Sequence, residues 1–233
     1  SSAASDVYKR QPLDGVKVID LSTIVSGPLA GSLLGDQGAD VIKIESPLRP
    51  DNARFMGPLR GENGALFAAA NRSKRSLALD LKKDGSKAII YELIKNSDVI
   101  IDNFRPGILK KLGLEYEDVK KYNPRIIQLS ITGYGVDGPY SKRRVYDPLI
   151  QATAGIANAQ SIDGTPKFVK TLMCDKITSL TAAQSVTAAL YAREKTDEGQ
   201  KINLSMLDTA LYFFCLLYTS DAADERSSVE LGG

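Results

Sequence analysis

Along the chain, brief and nearly continuous apolar runs alternate with longer stretches in which apolar residues recur every three or four positions. Val16–Leu21 (VKVIDL) and Val41–Glu45 (VIKIE) are runs of the first kind, which predict strands buried on both faces. Pro28–Asp36, between them, has helical spacing and ends at Gly38. Ser76–Leu81 (SLALDL), Asp98–Asp102 (DVIID) and Arg125–Ile131 (RIIQLSI) predict three more strands. Asp84 can cap a helix over Gly85–Lys95 whose apolar face would be Ile89, Leu93 and Ile94. Two short helices are expected from Pro106 to Gly113 and over Glu115–Lys121. Longer ones are expected over Pro148–Gln160 and Asp175–Lys195, and Ile202–Phe214 is expected to begin a further helix. Strands separated by helices imply an α/β fold, an open Rossmann-like parallel sheet with helices on both faces. Such sheets bind ligands beyond the carboxyl ends of their strands. The informative loops are therefore 22–27, 46–50, 103–107 and 132–139.

Neither end shares this pattern. Residues 1–11 are polar and aperiodic, and residues 215–233 break off an Ala/Leu-rich helix and turn acidic. Both read as translated adapter DNA flanking a gene fragment, with genuine disordered tails as the alternative. The expected organisation is a foreign tail at 1–11, a folded core at 12–214 and a second foreign tail at 215–233. Without the tails the core is mildly basic, which suits an anionic ligand.

Composition narrows the chemistry. With 43% hydrophobic and 25% charged residues over 233 positions, the chain can bury a core without disulfides or metals. The net charge of +2 gives no global field for nucleic acid. There is no histidine, which excludes a Ser-His-Asp set, a His-ligated zinc and any His acid/base unless a partner supplies it. Two distant cysteines, Cys174 and Cys215, make neither a thiolate metal site nor a disulfide framework. No metal is expected, and a reducing cytoplasm is the natural location. No apolar run approaches the ~20 residues that span a bilayer, and no signal peptide opens the chain, so no membrane association is expected.

Several motifs allow a local reading and a chemical one. Gly133-Tyr134-Gly135-Val136-Asp137-Gly138 spells G-x-G-x-x-G, yet Pro139 and Lys142-Arg143-Arg144 follow where a dinucleotide site needs a helix. It reads better as a turn-rich loop. The clusters Asn71-Arg72-Ser73-Lys74-Arg75-Ser76 and Lys142-Arg143-Arg144 are either solvated faces or holders of a nucleotide-like cofactor's phosphates. Asp175 stands before a long helical run. It is either a plain N-cap or a carboxylate beside free N–H donors, able to act as a covalent nucleophile. Cys174 beside it reads as a small buried residue.

Together these segments resemble the class III CoA-transferase family, which includes formyl-CoA and carnitine CoA-transferases and, as a branch, α-methylacyl-CoA racemase. The residues that carry the resemblance begin with Pro12–Leu21, Ser26-Gly27-Pro28 and Gly38–Glu45. They continue with Asn71–Ser76, Asn103–Gly107, Gly133-Tyr134-Gly135, Gly138-Pro139-Tyr140, Ala192–Thr196 and Gly199-Gln200. These blocks keep the family's order over nearly all of 12–210. The resemblance implies an enzyme that moves CoA from an acyl-CoA donor to a small carboxylic acid through an aspartyl anhydride and thioester. Asp175 would be the nucleophile, and no cofactor would be permanently bound. It implies CoA contacts at Val25, Ser26, Leu79 to Lys82, Asn103, Phe104, Arg105, Lys111, Arg144, Val145, Tyr146 and Asp147. Ser46 stands where some members place an arginine on the CoA phosphates, and Arg49 or the Lys74-Arg75 pair could substitute. The racemase branch uses a histidine where this chain has Tyr146, which favours transferase over a racemase-like isomerase. Met173, Tyr146 and Phe168 are candidate pocket walls. Family members run well beyond this length and form an interlocked homodimer. The isolated fragment is therefore expected to be inactive or only to bind CoA, and to expose apolar surface.

Overall fold

The computed structural model describes residues 11–61 and 63–214, so the tail expected at 215–233, and most of that at 1–11, lies outside the described residues. In chain order the first elements are β1 (Lys17–Asp20), α1 (Ser26–Asp36), β2 (Asp40–Glu45), the two-residue strands β3 (Leu59–Arg60) and β4 (Asn63–Gly64), and α2 (Ala65–Ala70). Next come β5 (Lys74–Ala78), α3 (Asp84–Lys95), β6 (Val99–Asp102), α4 (Ile108–Leu112), α5 (Tyr116–Val119) and β7 (Ile127–Thr132). The last are α6 (Asp147–Thr153), α7 (Ile156–Ala159), α8 (Met173–Thr196) and β8 (Lys201–Ser205), and residues 206–214 are helical.

Six of these strands form one sheet in the order β5-β2-β1-β6-β7-β8, with every pairing parallel. The chain builds outward from β1 to β5, then returns to the middle and builds outward from β6 to β8. The strand order therefore reverses between β1 and β6, which is where open α/β sheets leave a crevice.

Neighbouring residues of the central strands face opposite layers, as the pleat requires. Val18 and Ile101 join Ala30 and Leu34 of α1 and Ala182, Val186 and Ala189 of α8. Ile19 and Ile100 join Ile90 and Ile94 of α3 on the other face. Both sides of each strand are thus dry, and burial of each such side chain stabilises by about 1.5–3 kcal/mol. This is why the central strands read as nearly continuous apolar runs, interrupted by buried polar residues such as Lys43, Gln128 and Ser130.

Four elements differ from the sequence expectation. The strand expected at 76–81 lies at Lys74–Ala78, because Val41 to Glu45 pair with Lys74 to Ala78 and Lys74 turns its side chain inward. On α3 the buried face is Ile90 and Ile94, while Ile89 is 48% exposed. The single helix expected over 148–160 breaks at Gly155, whose φ of 82° is left-handed. Residues 202–205 belong to a strand, because Gln128 to Thr132 offer a free parallel edge that Lys201 to Ser205 complete.

That last strand is entered through a tight approach. Gly199 donates its N–H to the Pro124 carbonyl at 3.0 Å, and a Cβ on Gly199 would run into the Ile126 carbonyl and the Arg125 backbone. Gly199→Ala is expected to destabilise the chain by about 1–3 kcal/mol in a urea melt. An unchanged midpoint would show that the β7–β8 edge can yield.

Candidate active site

Residues 23–26 after β1, 103–106 after β6 and 131–133 at the end of β7 surround a cavity of about 290 Å³. Ser141 and residues 143–146, which lead into α6, form another wall, and Asp175 of α8 lines it as well. A second cavity of about 380 Å³ lies at the ends of β2 and β5. Its walls are mainly Leu21, Ile44, Leu48, Leu79, Leu81 and Phe104, with Arg49 and Lys82 as its cations and Glu45, Asp51 and Asp80 as its carboxylates. Thr23 and Phe104 line both cavities, so the two adjoin along the carboxyl edge of the sheet.

Asp175 is not the N-cap of its helix. α8 begins two residues earlier, with Leu172 in the capping position and no side-chain cap. The free N–H of Asp175 is instead satisfied from a distance, by Asp147 Oδ2 at 2.9 Å. Asp147 Oδ1 in turn accepts from Gln151 Nε2 at 2.6 Å, and Gln151 Oε1 accepts the Val169 N–H at 2.9 Å. One buried carboxylate thus joins the starts of α6 and α8 and fixes the backbone from which Asp175 projects.

Asp175 is only 9% exposed. Burial, reinforced by the Asp147 charge, pushes its carboxyl up from 3.8 to about 7, although the Ser26 hydroxyl and backbone N–H hold it lower than it would otherwise be. At neutral pH this group divides between its two forms, and its carboxylate is more basic and less hydrated than an ordinary one. These are the properties of a nucleophile for an activated acyl group. Burial, then the charges of Asp147 and Asp175, pushes the neighbouring Cys174 thiol up to about 12, so it remains an inert thiol.

Burial likewise raises the Asp102 carboxyl, to about 6. Its oxygens accept from Ser130 Oγ at 2.7 Å and from the Phe104 N–H at 3.2 Å, which fixes the loop that carries Phe104 past both cavities.

Among the residues expected to contact CoA, Val25, Ser26, Asn103, Phe104, Arg105, Arg144, Val145 and Tyr146 line the first cavity. Leu79 and Lys82 line the second, and Phe104 belongs to both. Lys111, on α4, lines neither cavity. Asp147 is buried behind Asp175 rather than open to a ligand. Among the candidate pocket walls, Tyr146 faces the first cavity, whereas Met173 and Phe168 line neither.

The basic segment behaves differently from its expected role. Lys74 Nζ reaches Asp20 Oδ2 at 2.7 Å, the Pro28 carbonyl at 2.7 Å and Asn71 Oδ1 at 2.8 Å, inside the protein. Arg75 forks onto Asp40 at 2.6 and 2.8 Å on the surface. Neither lines a cavity, and Arg49, named as the other substitute, does. Arg143, of the Lys142–Arg144 cluster, lines the first cavity, whereas Asp51 and Asn52 are site residues that no sequence motif points to. A signal for Asp51 existed in Lys43, a charge in the middle of a doubly buried strand, which demands an anionic partner.

A family model described as CoA-transferase family III matches residues 13–232. The chain is 41% identical over 204 residues to the acetyl-CoA:oxalate CoA-transferase of Acetobacter aceti, covering 87% of this chain and 52% of that protein. It is 38% identical over 208 residues to the succinate–glutarate CoA-transferase of Agrobacterium fabrum, covering 86% and 52%. A solved CAIB/BAIF family protein from Brucella suis superposes with a TM-score of 0.87 at 37% identity, over 91% of this chain and 58% of that one. The chain spans about half the length of the curated relatives it matches. With the parallel sheet, the crevice at its reversal point and the family match in agreement, the chain belongs to CoA-transferase family III.

Proposed function

We propose that the protein containing this chain transfers CoA from an acyl-CoA donor to a small carboxylic acid, with Asp175 as nucleophile and CoA thioesters as substrates rather than a resident cofactor. The observation that carries this reading is a buried carboxylate of raised basicity beside a crevice whose second compartment joins apolar walls to two cations.

The Asp175 carboxylate attacks the thioester carbonyl, the C–S bond breaks, and CoA leaves as a thiolate from a mixed anhydride. The thiolate then attacks the aspartyl carbonyl of that anhydride, releases the donor as a free carboxylate and leaves an aspartyl-CoA thioester. An acceptor carboxylate attacks that thioester and expels the thiolate, forming a second anhydride. The returning thiolate takes the acceptor's carbonyl and restores the Asp175 carboxylate. No step requires a proton on the enzyme, which suits a chain without histidine.

In this reading Arg49 and Lys82 meet the CoA phosphates, and the pantetheine arm passes Thr23 and Phe104. Val25, Ser26, Asn103, Arg105, Arg144, Val145 and Tyr146 enclose the thioester. Asp147 and Lys74 act behind the site rather than on the ligand. A cytoplasmic location agrees with the buried free thiol of Cys174. Among the described residues no helix is long and apolar enough to cross a membrane. An interlocked homodimer is part of the same proposal, and the exposed Leu180, Tyr191 and Tyr212 give it apolar surface to cover.

Calorimetric titration of the chain with CoA tests the binding half. Removing both cations in Arg49→Ala/Lys82→Ala is expected to weaken binding about tenfold or more and to flatten its salt dependence. Unchanged affinity would overturn the assignment of the second cavity. For the chemical half, hydroxylamine is expected to capture the acylated carboxyl of Asp175 when acyl-CoA is added to the full-length protein.

A further inference from the structure

The loop that follows β1 has no sheet or helix partner for the backbone of Ser22, Thr23 and Ile24, yet side chains from three distant segments occupy it. The Ser22 N–H donates to Asp20 Oδ1 at 2.9 Å, and the Ser22 carbonyl accepts from Lys43 Nζ. The side-chain amide of Asn103 grips Thr23 at both ends, accepting its N–H at 2.9 Å and donating to its carbonyl at 2.7 Å. The Ile24 N–H divides between the two carboxylate oxygens of Asp51, at 2.9 and 3.1 Å. Asp51 is itself fixed, since it accepts the Ala53 N–H at 2.9 Å and Lys43 Nζ at 3.1 Å and is only 2% exposed.

What this clamp holds is a strained conformation. Ile24 has a φ of 71°, a left-handed backbone that a β-branched side chain resists. Such a residue persists only where its surroundings over-determine it. Immediately beyond it, Val25 and Ser26 line the cavity that Asp175 also lines, and Ser26 holds the Asp175 carboxyl lower than burial alone would. The Ser26 carbonyl is held from the other side by Ser179 Oγ at 2.8 Å, on the same helix as Asp175. The buried charges are balanced within the group, with Lys43 and Lys74 set against Asp20 and Asp51. A neutral, dry and fully bonded network is rigid, and rigidity is what a reacting group's donors require.

We propose that Asp51, supported by Lys43, is a positioning residue that forces Ile24 into its left-handed conformation and thereby presents Ser26 to the Asp175 carboxylate. The structural part stands alone, and the kinetic part rests on the CoA-transfer reading above. Asp51 borders the second cavity but is only 2% exposed, and its part in this scheme is played through the loop.

The test removes the clamp without leaving a buried charge alone, by combining Lys43→Met with Asp51→Ala. Amide hydrogen exchange on the chain is expected to show the Ser26 N–H exchanging at least tenfold faster in this variant. In the full-length protein, kcat for CoA transfer with acetyl-CoA and succinate as probes is expected to fall about tenfold or more, with KM for acetyl-CoA within threefold. Adding Ile24→Gly should restore both quantities to within about threefold of the parent, because glycine adopts positive φ without being forced. A loss that glycine does not restore, or an unchanged Ser26 exchange rate, would overturn the proposal. If the parent shows no transfer with several acyl-CoA donors and acceptors, the function reading fails, while the exchange measurement still decides the clamp.

Discussion

Asp175→Asn is expected to abolish CoA transfer and, at the same time, to make the chain more stable above neutral pH. The first effect follows because an amide has no anionic oxygen with which to open the thioester. The second follows from the cost of the charge. The folded carboxyl releases its proton near pH 7, whereas the unfolded one does so near its ordinary 3.8. Between those values the folded chain holds a proton that the unfolded chain has lost, so stability falls as pH rises across that window. Above about pH 7 the penalty is complete, on the order of 4 kcal/mol for a shift of this size. The amide of the variant carries no charge to desolvate. Its advantage over the parent should therefore be absent near pH 4, grow through pH 5 and 6, and level off above 7. Urea melts of both chains across this range measure it, and equal midpoints at pH 8 would refute the stored cost. The same titration sets the pH dependence of the proposed reaction. The rate should climb from pH 5 toward 8 as the carboxylate forms. Stabilisation gained by removing a reactive group is the expected sign of a site whose charge is kept at the expense of stability.

Lys74→Ala should be the most damaging single change in the basic segment, and its cost should appear in folding rather than in ligand affinity. Lys74 is the nearer of the two cations on Asp20, at 2.7 Å against 3.9 Å for Lys43, and Asp20 is fully buried. Burial alone would raise the Asp20 carboxyl, but the charges of Lys43 and Lys74 and the hydrogen bonds of Lys74 and Ser22 together hold it below its ordinary value. Removing Lys74 leaves a desolvated anion with its remaining partner at the edge of contact, which costs about 3–5 kcal/mol. Because the Asp20 carboxyl is depressed in the folded state, its stabilisation is present above its ordinary pKa and is lost as pH falls through the depressed value. The Lys74 variant should therefore lose part of its acid-side dependence, the part that Lys43 and Ser22 do not maintain, along with its stability. Arg75→Ala is the internal comparison. Its ion pair with Asp40 is 64% and 44% exposed, so its loss should cost less than about 1 kcal/mol. Denaturant melts of the two variants should differ by several kcal/mol, and similar midpoints would mean that Lys74 is not the counter-ion the geometry makes it.

These two residues also mark how far sequence reading reaches. Periodicity locates all five expected strands of the sheet to within a few residues. The apolar pattern records burial, and burial on both faces leaves an unambiguous run in a strand such as VIID, whereas IQLSIT alternates because its buried Gln128 and Ser130 bond to Leu114 and Asp102. The loops that meet at the reversal between β1 and β6 follow from strand order, and so does the general position of the site. Asp175 is recognisable as a carboxylate near the start of a helix, in a chain that has no histidine to do the same chemistry. The sixth strand escapes this reading because Lys201–Ser205 alternates weakly and is shaped by the edge of β7 rather than by its own composition.

What the tertiary structure alone decided is which charge meets which. Lys74 and Arg75 are adjacent in sequence, yet one is driven inward to a partner 54 positions away while the other forks onto the surface. Asp147 and Asp175 are both acidic residues in the first turn of a helix, but only the packing of α6 against α8 makes the first hold the second's backbone. The left-handed Ile24 is the sharpest case, because nothing in its own chemistry favours that conformation and a clamp assembled from distant segments imposes it. Local pattern determines which surfaces are dry. Hydrogen-bond partners, strain and the basicity of a buried carboxylate depend on distances between segments remote in sequence, and only the folded chain sets those distances.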